Sequence, residues 1–218
     1  MATPSQAVPV SRTPASEPSV FPFDRADCWN PQAERYFFAE GSLVPKSVSP
    51  SADVLIRRSY SGVLARMSEP SLSCVAPAHD AYRLLILPTW GAAVAVRVEG
   101  AQLSHVMLDG EAGFAPGKVA RRFTRQLRAL EQRKFTAALL KAEFWTTPPN
   151  DFDRMGNDGT TWVIEGRAGN SYRVVQRWMP ESGSFWELGR LALGLAGCDP
   201  EAVTDGPKRT VPLCKPPR

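Results

Sequence analysis

The sequence predicts an α+β fold: a small antiparallel sheet with helices packed on one face, behind a disordered Pro-rich N-terminal tail. Three observations support this prediction. Short apolar runs of strand type follow one another between residues 82 and 108, as strands joined by hairpins do. A long helical pattern comes next, and a hairpin and a last helix follow it. Because helices do not alternate with single strands, the order favours an antiparallel sheet over a doubly wound parallel one.

Proline marks both ends of the chain. Of its 20 prolines among 218 residues, eight fall in the first fifty residues and five in the last nineteen. Proline is excluded from helix interiors and central strands. We therefore predict a Pro/Ser-rich, largely disordered tail over residues 1–50, a single α+β domain over 51–198 and an irregular tail over 199–218.

The first elements follow from apolar spacing. A helical face over residues 59–67 is formed by residues at i, i+3, i+4 and i+7, namely Tyr60, Val63, Leu64 and Met67. Strands are predicted over 82–90, 92–99 and 102–108, and the third ends at the turn dipeptide Asp109-Gly110.

Residues 116–145 carry the longest helical pattern, with a bend or a short break near 132–134. Its apolar residues are spaced by three and four: Val119, Phe123, Leu127, Leu130, Phe135, Leu139 and Ala142. Many of the polar residues are basic, including the candidate binding residues Arg121, Arg125 and Arg128. Such a face indicates either a surface for phosphates or an acidic partner, or the solvated side of an amphipathic helix.

Residues 158–180 are typical of a strand, a Gly-containing turn and a second strand. Period-two alternation places the aromatic residues on faces that pack against helices. The alternation also predicts that Glu165, Arg173 and Arg177 share an exposed face, where Glu165 forms a cross-strand ion pair with one of the arginines. These three residues are the other candidate binding residues.

A last helix is predicted after the hairpin. Ser184 and Glu187 have the spacing of a capping box. An apolar face follows them at Leu188, Leu191, Ala192 and Leu195. Gly197 suits the left-handed position that ends a helix.

The acidic residues after position 150 suggest an alternative, a hydrolase-like enzyme. Four carboxylates lie close together in sequence, at Asp151, Asp153, Asp158 and Glu165. They do not fit a calcium-binding loop, because Trp162 occupies the position of its last ligand. Neither His79 nor His105 lies in a catalytic motif. The enzyme question is left open, and the absence of motifs favours a protein without catalytic activity.

The four cysteines, Cys28, Cys74, Cys198 and Cys214, are widely separated and include no CxxC pair. The spacing therefore predicts no metal site, and no motif predicts a cofactor. Pairing Cys198 with Cys214 and Cys28 with Cys74 would attach the two tails to the domain; four unrelated thiols is the alternative.

No run of 18 apolar residues predicts a membrane span, and the first residues lack the apolar stretch of a signal peptide. The chain as written predicts a cytoplasmic location. A periplasmic location follows if the true start lies upstream.

One set of residues resembles a known family. The pattern FW…DGxxWxxEG…YxVVxRWxP, which begins at Phe144 and ends at Pro180, resembles a domain family of uncharacterised bacterial proteins. The resemblance extends over roughly residues 60–196. It implies one α+β domain and a bacterial source, and it implies no activity.

These observations lead to one functional hypothesis and two alternatives. The net charge of +4 is too small to indicate a nucleic-acid partner. We expect a non-enzymatic binding or accessory domain of a bacterial protein, in the cell envelope if it is exported, which holds a protein partner through the hairpin or the basic helix. The alternatives are the hydrolase-like enzyme and a weak nucleic-acid binder that uses the basic helix.

Overall fold

A computed structural model of the protein describes residues 37–45, 48–74, 77–112, 114–151, 156, 158–200 and 214. Most of the predicted N-terminal tail and most of the C-terminal tail lie outside these residues. The described residues form one six-stranded antiparallel sheet and three helices, which confirms the α+β fold. No helix of the described residues is long and apolar enough to cross a membrane.

The strands lie in the sheet in the order β4-β3-β2-β1-β5-β6, so β4 and β6 form its two edges. The strands are β1 Ala81–Pro88, β2 Val94–Glu99, β3 Gln102–Leu108, β4 Val119–Gln126, β5 Thr160–Ala168 and β6 Ser171–Trp178. The helices are α1 Pro50–Arg66, α2 Ala129–Lys141 and α3 Gly183–Leu195. The strands predicted over 82–90, 92–99 and 102–108 therefore form, as β1, β2 and β3.

Both faces of the sheet are apolar and both are covered, because neighbouring residues of each strand point to opposite sides. Leu84 and Ile86 lie on one face, where α2 and α3 pack. Leu85 lies on the other face with α1 and with Phe38 from the segment before it. The sequence predicted helices on one face; α2 and α3 do share a face, and α1 adds a layer on the opposite one. Residues 37–44, assigned to the tail from sequence, contribute to this second core.

The prediction of one basic helix over 116–145 is wrong in its first half. Residues 119–126 form the edge strand β4, and only Ala129–Lys141 is helical. The apolar residues Val119, Phe123 and Leu127 are four apart. Four is a helical spacing and also an even number, so these residues share one side of a strand as readily as one side of a helix.

The β5–β6 hairpin has a different register from the one assumed from its sequence. Ala168 pairs with Ser171 across a two-residue turn, so Glu165 lies opposite Val174, and Arg173 lies opposite Gly166. Paired residues share a face, and Glu165 and Arg173 therefore point to opposite sides of the sheet. A shift of one residue in register reverses every such assignment. The predicted ion pair between Glu165 and Arg173 or Arg177 does not form.

Helix α3 confirms the predicted last helix, with a correction at its start. Ser182 is the N-cap residue rather than Ser184, and the side chain of Glu187 binds Lys141 instead of closing a capping box. The end is as predicted. Gly197 has a φ of 68°, and the Cys198 amide donates to the Leu193 carbonyl over 2.9 Å.

A disulfide joins Cys198 to Cys214, which is one of the pairings considered from the sequence. Both half-cystines are buried beside α3, so residue 214 belongs to the core although its sequence neighbours were assigned to the tail. Cys74 is disulfide-bonded as well, and Cys28 lies outside the described residues.

Candidate functional site

Glu165 lies at the centre of a buried ionic cluster rather than on an exposed face. It is 1% exposed, and it forms a salt bridge with the fully buried Arg83 of β1. The Tyr172 hydroxyl donates to its second oxygen over 2.9 Å. Arg83 also donates to the Pro70 carbonyl over 2.6 Å. Every charged atom of the carboxylate is therefore bound by protein.

Electrostatic effects agree with a structural role for this cluster. Burial raises the pKa of Glu165, and the neighbouring Arg83 and Tyr172 oppose that shift. Burial and the adjacent Glu165 raise the pKa of Tyr172 well above its usual value, so the hydroxyl stays a hydrogen-bond donor. A perturbed ionisable group suggests a functional site only when it faces a cleft. Here the groups face one another, between β1, β5 and β6.

The carboxylates of the hydrolase hypothesis do not converge. Glu165 is buried in the cluster just described, Asp158 is exposed, and Asp153 lies outside the described residues. Asp151 interacts electrostatically with Arg177. Among the described residues, no carboxylate lies in a group of three ligand-type side chains. Asp151, Asp158 and Glu165, the three of these carboxylates that the structure describes, therefore do not provide a general acid and base facing a common space.

Two cavities within the described structure are small. One lies under α3 between Tyr82, Phe135 and Leu188, and its volume is about 10 Å³. A second, also of about 10 Å³, lies between Asp151, Thr161 and Arg177. A small-molecule site is usually an order of magnitude larger. Neither cavity could enclose a substrate.

The β6 edge of the sheet is covered by the chain itself. The Gln176 amide donates to the Pro149 carbonyl over 2.7 Å, and Arg177 donates to the Pro148 carbonyl over 2.7 Å. Arg173, which is 3% exposed, donates to the Thr147 carbonyl. Arg173 and Arg177 are thus engaged in holding residues 147–149 against the sheet.

The β4 edge differs, because β3 is its only neighbour among the described strands. Burial along β4 alternates between exposed and half-buried residues. Between positions 118 and 130 the chain has five basic residues and no acidic residue. We define the β4 edge surface as the outer backbone of β4 together with Lys118 and Arg121; Arg122 instead donates to the Met67 carbonyl.

The candidate arginines on this side of the molecule have separate roles. Arg125 donates to the Leu195 carbonyl over 2.8 Å and to Glu131 over 2.9 Å, so it joins β4 to the end of α3 and the start of α2. Arg128 is exposed and binds the same Glu131 over 3.1 Å. Arg121 has no acidic partner within the described part of the chain, and the same is true of Lys118. Of Arg121, Arg125 and Arg128, only Arg121 has a charge that no acidic residue of the described chain neutralises.

An exposed aromatic pair lies in the loops that follow β1 and precede β4. Phe114, in the loop that leads into β4, is 68% exposed, and Trp90 is 46% exposed. Their rings stack with centroids 5.1 Å apart. A hydrogen bond from the Ala112 amide to the Gly91 carbonyl over 2.9 Å connects the two loops that carry them. Two large rings are thus held together in solvent instead of in the core.

His105 lies on β3, the strand next to β4 in the sheet, and is fully buried. Its ring stacks on Phe123 at 4.8 Å, and neither ring nitrogen has a hydrogen-bond partner among the described residues. Burial lowers the pKa of His105 to about 4, and the positive charge of Arg121 acts in the same direction. The sulfur atoms of Cys198 and Cys214 lie within 4.8 Å of a nitrogen of this ring.

Comparison with known proteins gives no match, either to a family model or to a curated protein. The resemblance to a bacterial domain family stays a prediction. The case for function therefore rests on the geometry of the described residues alone.

Several residues of interest could not be found by sequence reasoning. Arg83 was placed in a strand and given no role, although it is the partner of Glu165. Trp90 and Phe114 are 24 positions apart, and no periodicity relates them. The one available signal is the possible pairing of Cys198 with Cys214, which would attach residue 214 to the domain; the sequence leaves four unrelated thiols as the alternative.

Proposed function

We propose that the protein is a non-enzymatic binding domain that holds an extended, acidic segment of a partner protein along its β4 edge surface. The observation that carries this proposal is the difference between the two edges of the sheet. Residues 147–149 cover β6, whereas the outer side of β4 has no strand or covering segment among the described residues.

The backbone of β4 supplies the general part of the interaction. An edge strand presents unpaired amides and carbonyls, and an extended peptide can pair with them as an added strand. Residues 121–126 pair with β3 in regular register, beyond an irregularity near Leu108. This regular part of β4 is long enough to pair with a short segment.

Charge determines which segment fits. Lys118 and Arg121 have no acidic partner in the described chain, so a segment with Asp or Glu side chains would neutralise them. The same charges oppose edge-to-edge pairing of two copies of β4, because like charges repel. An acidic partner is therefore favoured over a second copy of this chain.

The exposed aromatic pair adds an apolar contact to the charged contacts of the surface. Trp90 follows β1 and Phe114 precedes β4 in the chain, and both present apolar area to solvent. Aromatic side chains are enriched in protein interfaces. We infer that an apolar side chain of the bound segment packs on this pair.

The proposal is tested with a short peptide of alternating Glu and Val, whose binding is measured by fluorescence anisotropy. We expect the affinity to fall as salt is added. The K118E/R121E variant should bind at least about tenfold more weakly, since each reversal removes an attraction and adds a repulsion of up to about 1 kcal/mol.

Matched controls separate this surface from general charge effects. The R133E/K134E variant changes the net charge equally on the exposed side of α2, and its affinity should stay within about twofold of the parent. A peptide of Lys and Val should not bind, and N-methylation of alternate amides in the acidic peptide should abolish its binding. Equal weakening by both double variants, or binding of the N-methylated peptide, would overturn the proposal.

A further inference from the structure

Three side chains from distant parts of the chain meet beside α3. One ring nitrogen of His105 and the sulfur atoms of Cys198 and Cys214 all lie within 4.8 Å of one another. All three residues are buried, with exposures of 0%, 4% and 1% respectively. In the structure the two sulfurs are joined as a disulfide. The group includes no residue of the β4 edge surface or of the Glu165 cluster, and His105 pairs with Phe123 of β4.

The imidazole of His105 is the unusual member of this group. Buried polar atoms almost always have a hydrogen-bond partner, and an exception requires an explanation. Both nitrogens of His105 lack a partner among the described residues, although the ring is fully buried. Stacking on Phe123 fixes the plane of the ring but satisfies neither nitrogen. A ligand that accepts the nitrogen lone pair would satisfy one of them.

We propose that reduction of the Cys198–Cys214 disulfide converts this group into a binding site for a soft divalent metal ion such as Zn²⁺, with His105, Cys198 and Cys214 as its ligands. One imidazole nitrogen and two thiolates form a usual ligand set for zinc. The fourth position is left to water. The disulfide and the metal then exclude each other, because each requires the same two sulfur atoms.

The reaction balances with a dithiol as the reductant. The dithiol transfers two electrons and two protons to the Cys198–Cys214 bond, which gives two thiols, and the reductant becomes a disulfide. Binding of Zn²⁺ then releases the two thiol protons, since the thiolate is the ligand form. In a reducing compartment the metal-binding form would persist, and an oxidising compartment would keep the disulfide.

The required movement is small, and the metal-bound centre is neutral. Zn–S bonds of about 2.3 Å place two sulfur ligands about 3.8 Å apart in a tetrahedral site, so the sulfurs must separate by less than about 2 Å. Two thiolates with Zn²⁺ form a neutral centre, so the buried site would carry no net charge.

The experiment uses the full-length protein and Co²⁺ as a spectroscopic probe for the zinc site. Protein reduced with a dithiol is transferred to buffer without reductant under nitrogen and titrated with Co²⁺. We expect thiolate-to-cobalt charge-transfer absorption that saturates at about one equivalent. Oxidised protein should show no such band, and adding a small-molecule disulfide to the cobalt-bound protein should abolish it as Cys198 and Cys214 pair again.

Variants identify the ligands. The C198S/C214S variant should lose the band, and H105Q should bind Co²⁺ at least about tenfold more weakly, as disturbed metal sites do. The matched controls are H79Q, which alters the exposed histidine, and C28S/C74S, which leaves only the C-terminal pair; both should bind like the parent protein.

Circular dichroism of each reduced variant establishes that the variant is folded. The comparison of the oxidised with the reduced parent protein requires no substitution, so it does not depend on the folding of any variant. The proposal is overturned if the reduced parent protein shows no thiolate band. It is also overturned if H79Q reduces the cobalt affinity as much as a folded H105Q does, or if C198S/C214S binds as the parent does.

Discussion

The two edge strands of the sheet carry the same residue type and use it differently. On β6, Arg173 and Arg177 donate to the carbonyls of Thr147 and Pro148, and so they attach a covering segment to the edge. On β4, Arg122 and Arg125 also donate to carbonyls, those of Met67 and Leu195. Arg121 has no acceptor among the described residues, and the outer backbone has no neighbour among the described strands. The comparison teaches that the path of the neighbouring chain, rather than the basic residue itself, decides whether an arginine stabilises the fold or is free to bind a partner.

The largest loss of stability is expected from a substitution at the centre of the sheet, between the two edges. Replacing Arg83 with Met leaves the buried carboxylate of Glu165 without its counter-ion. We expect the free energy of unfolding to fall by about 3–5 kcal/mol, as for other broken buried ion pairs. Urea unfolding followed by tryptophan fluorescence measures the change. The R83M/E165M variant should recover part of the loss, and no recovery would show that the ion pair is not the cause.

A direct test of the two edges compares one arginine from each. R173A removes a buried donor to the Thr147 carbonyl, and we expect a loss of about 1.5–3 kcal/mol in the free energy of unfolding. R121A should change it by less than about 0.5 kcal/mol, because no described residue accepts from its side chain. Equal losses in the two variants, measured by urea unfolding, would remove the distinction between the edges.

A smaller effect is expected where α3 packs on the sheet. A methyl group at Gly189 would lie 2.3 Å from the Trp162 ring, so G189A should force α3 away from β5 and cost about 1–3 kcal/mol. Gly194 of the same helix has nothing within 4 Å of such a methyl group.

The control variant G194A should therefore stabilise the protein by about 0.5–1 kcal/mol, since alanine favours a helix over glycine. Thermal melts of the two variants should move in opposite directions. Melting temperatures that move together would contradict the packing described for α3.

The smallest change in stability is expected where Glu131 attaches β4 to α2. Hydrogen bonds from Arg125 and Arg128 lower the pKa of Glu131 to about 2. Because this carboxyl has a lower pKa in the folded state, its contribution to stability is fully present above about pH 4.5 and is lost as the pH falls toward 2.

The E131Q variant should remove this part of the pH dependence, which urea unfolding at pH 6 and pH 2.5 would reveal. E187Q is the matched control, because Glu187 forms an exposed pair with Lys141 and such pairs contribute little. A pH dependence that is the same in E131Q and the parent protein would contradict the role of Glu131.

Much of the fold could be predicted from the sequence, and the exceptions have physical reasons. Strands β1 to β3 and helix α3 follow from local patterns that only one structure satisfies. Residues 119–126 satisfied two periods at once, and the contact of Phe123 with His105 on β3 favours the strand. The periodicity of residues 119–126 does not show which residue of another strand will lie beside them.

The candidate site was less predictable, because it depends on register and on contacts between distant residues. Glu165 and Arg173 were placed on one exposed face, and a register differing by one residue buries them on opposite faces. Arg125 and Arg128 were assigned to a free basic helix, yet both bind Glu131. Arg121 is the candidate whose availability agrees with the sequence-based expectation.

Amide hydrogen exchange, measured with and without the acidic Glu–Val peptide, tests the central claim most directly. The account predicts that the Gln176 amide of β6 is protected in both conditions, because it donates to Pro149. Those amides within residues 121–126 of β4 that face away from β3 should exchange faster and gain protection when the peptide is bound. Protection that appears on β6, or no gain on β4 at saturating peptide, would contradict the account.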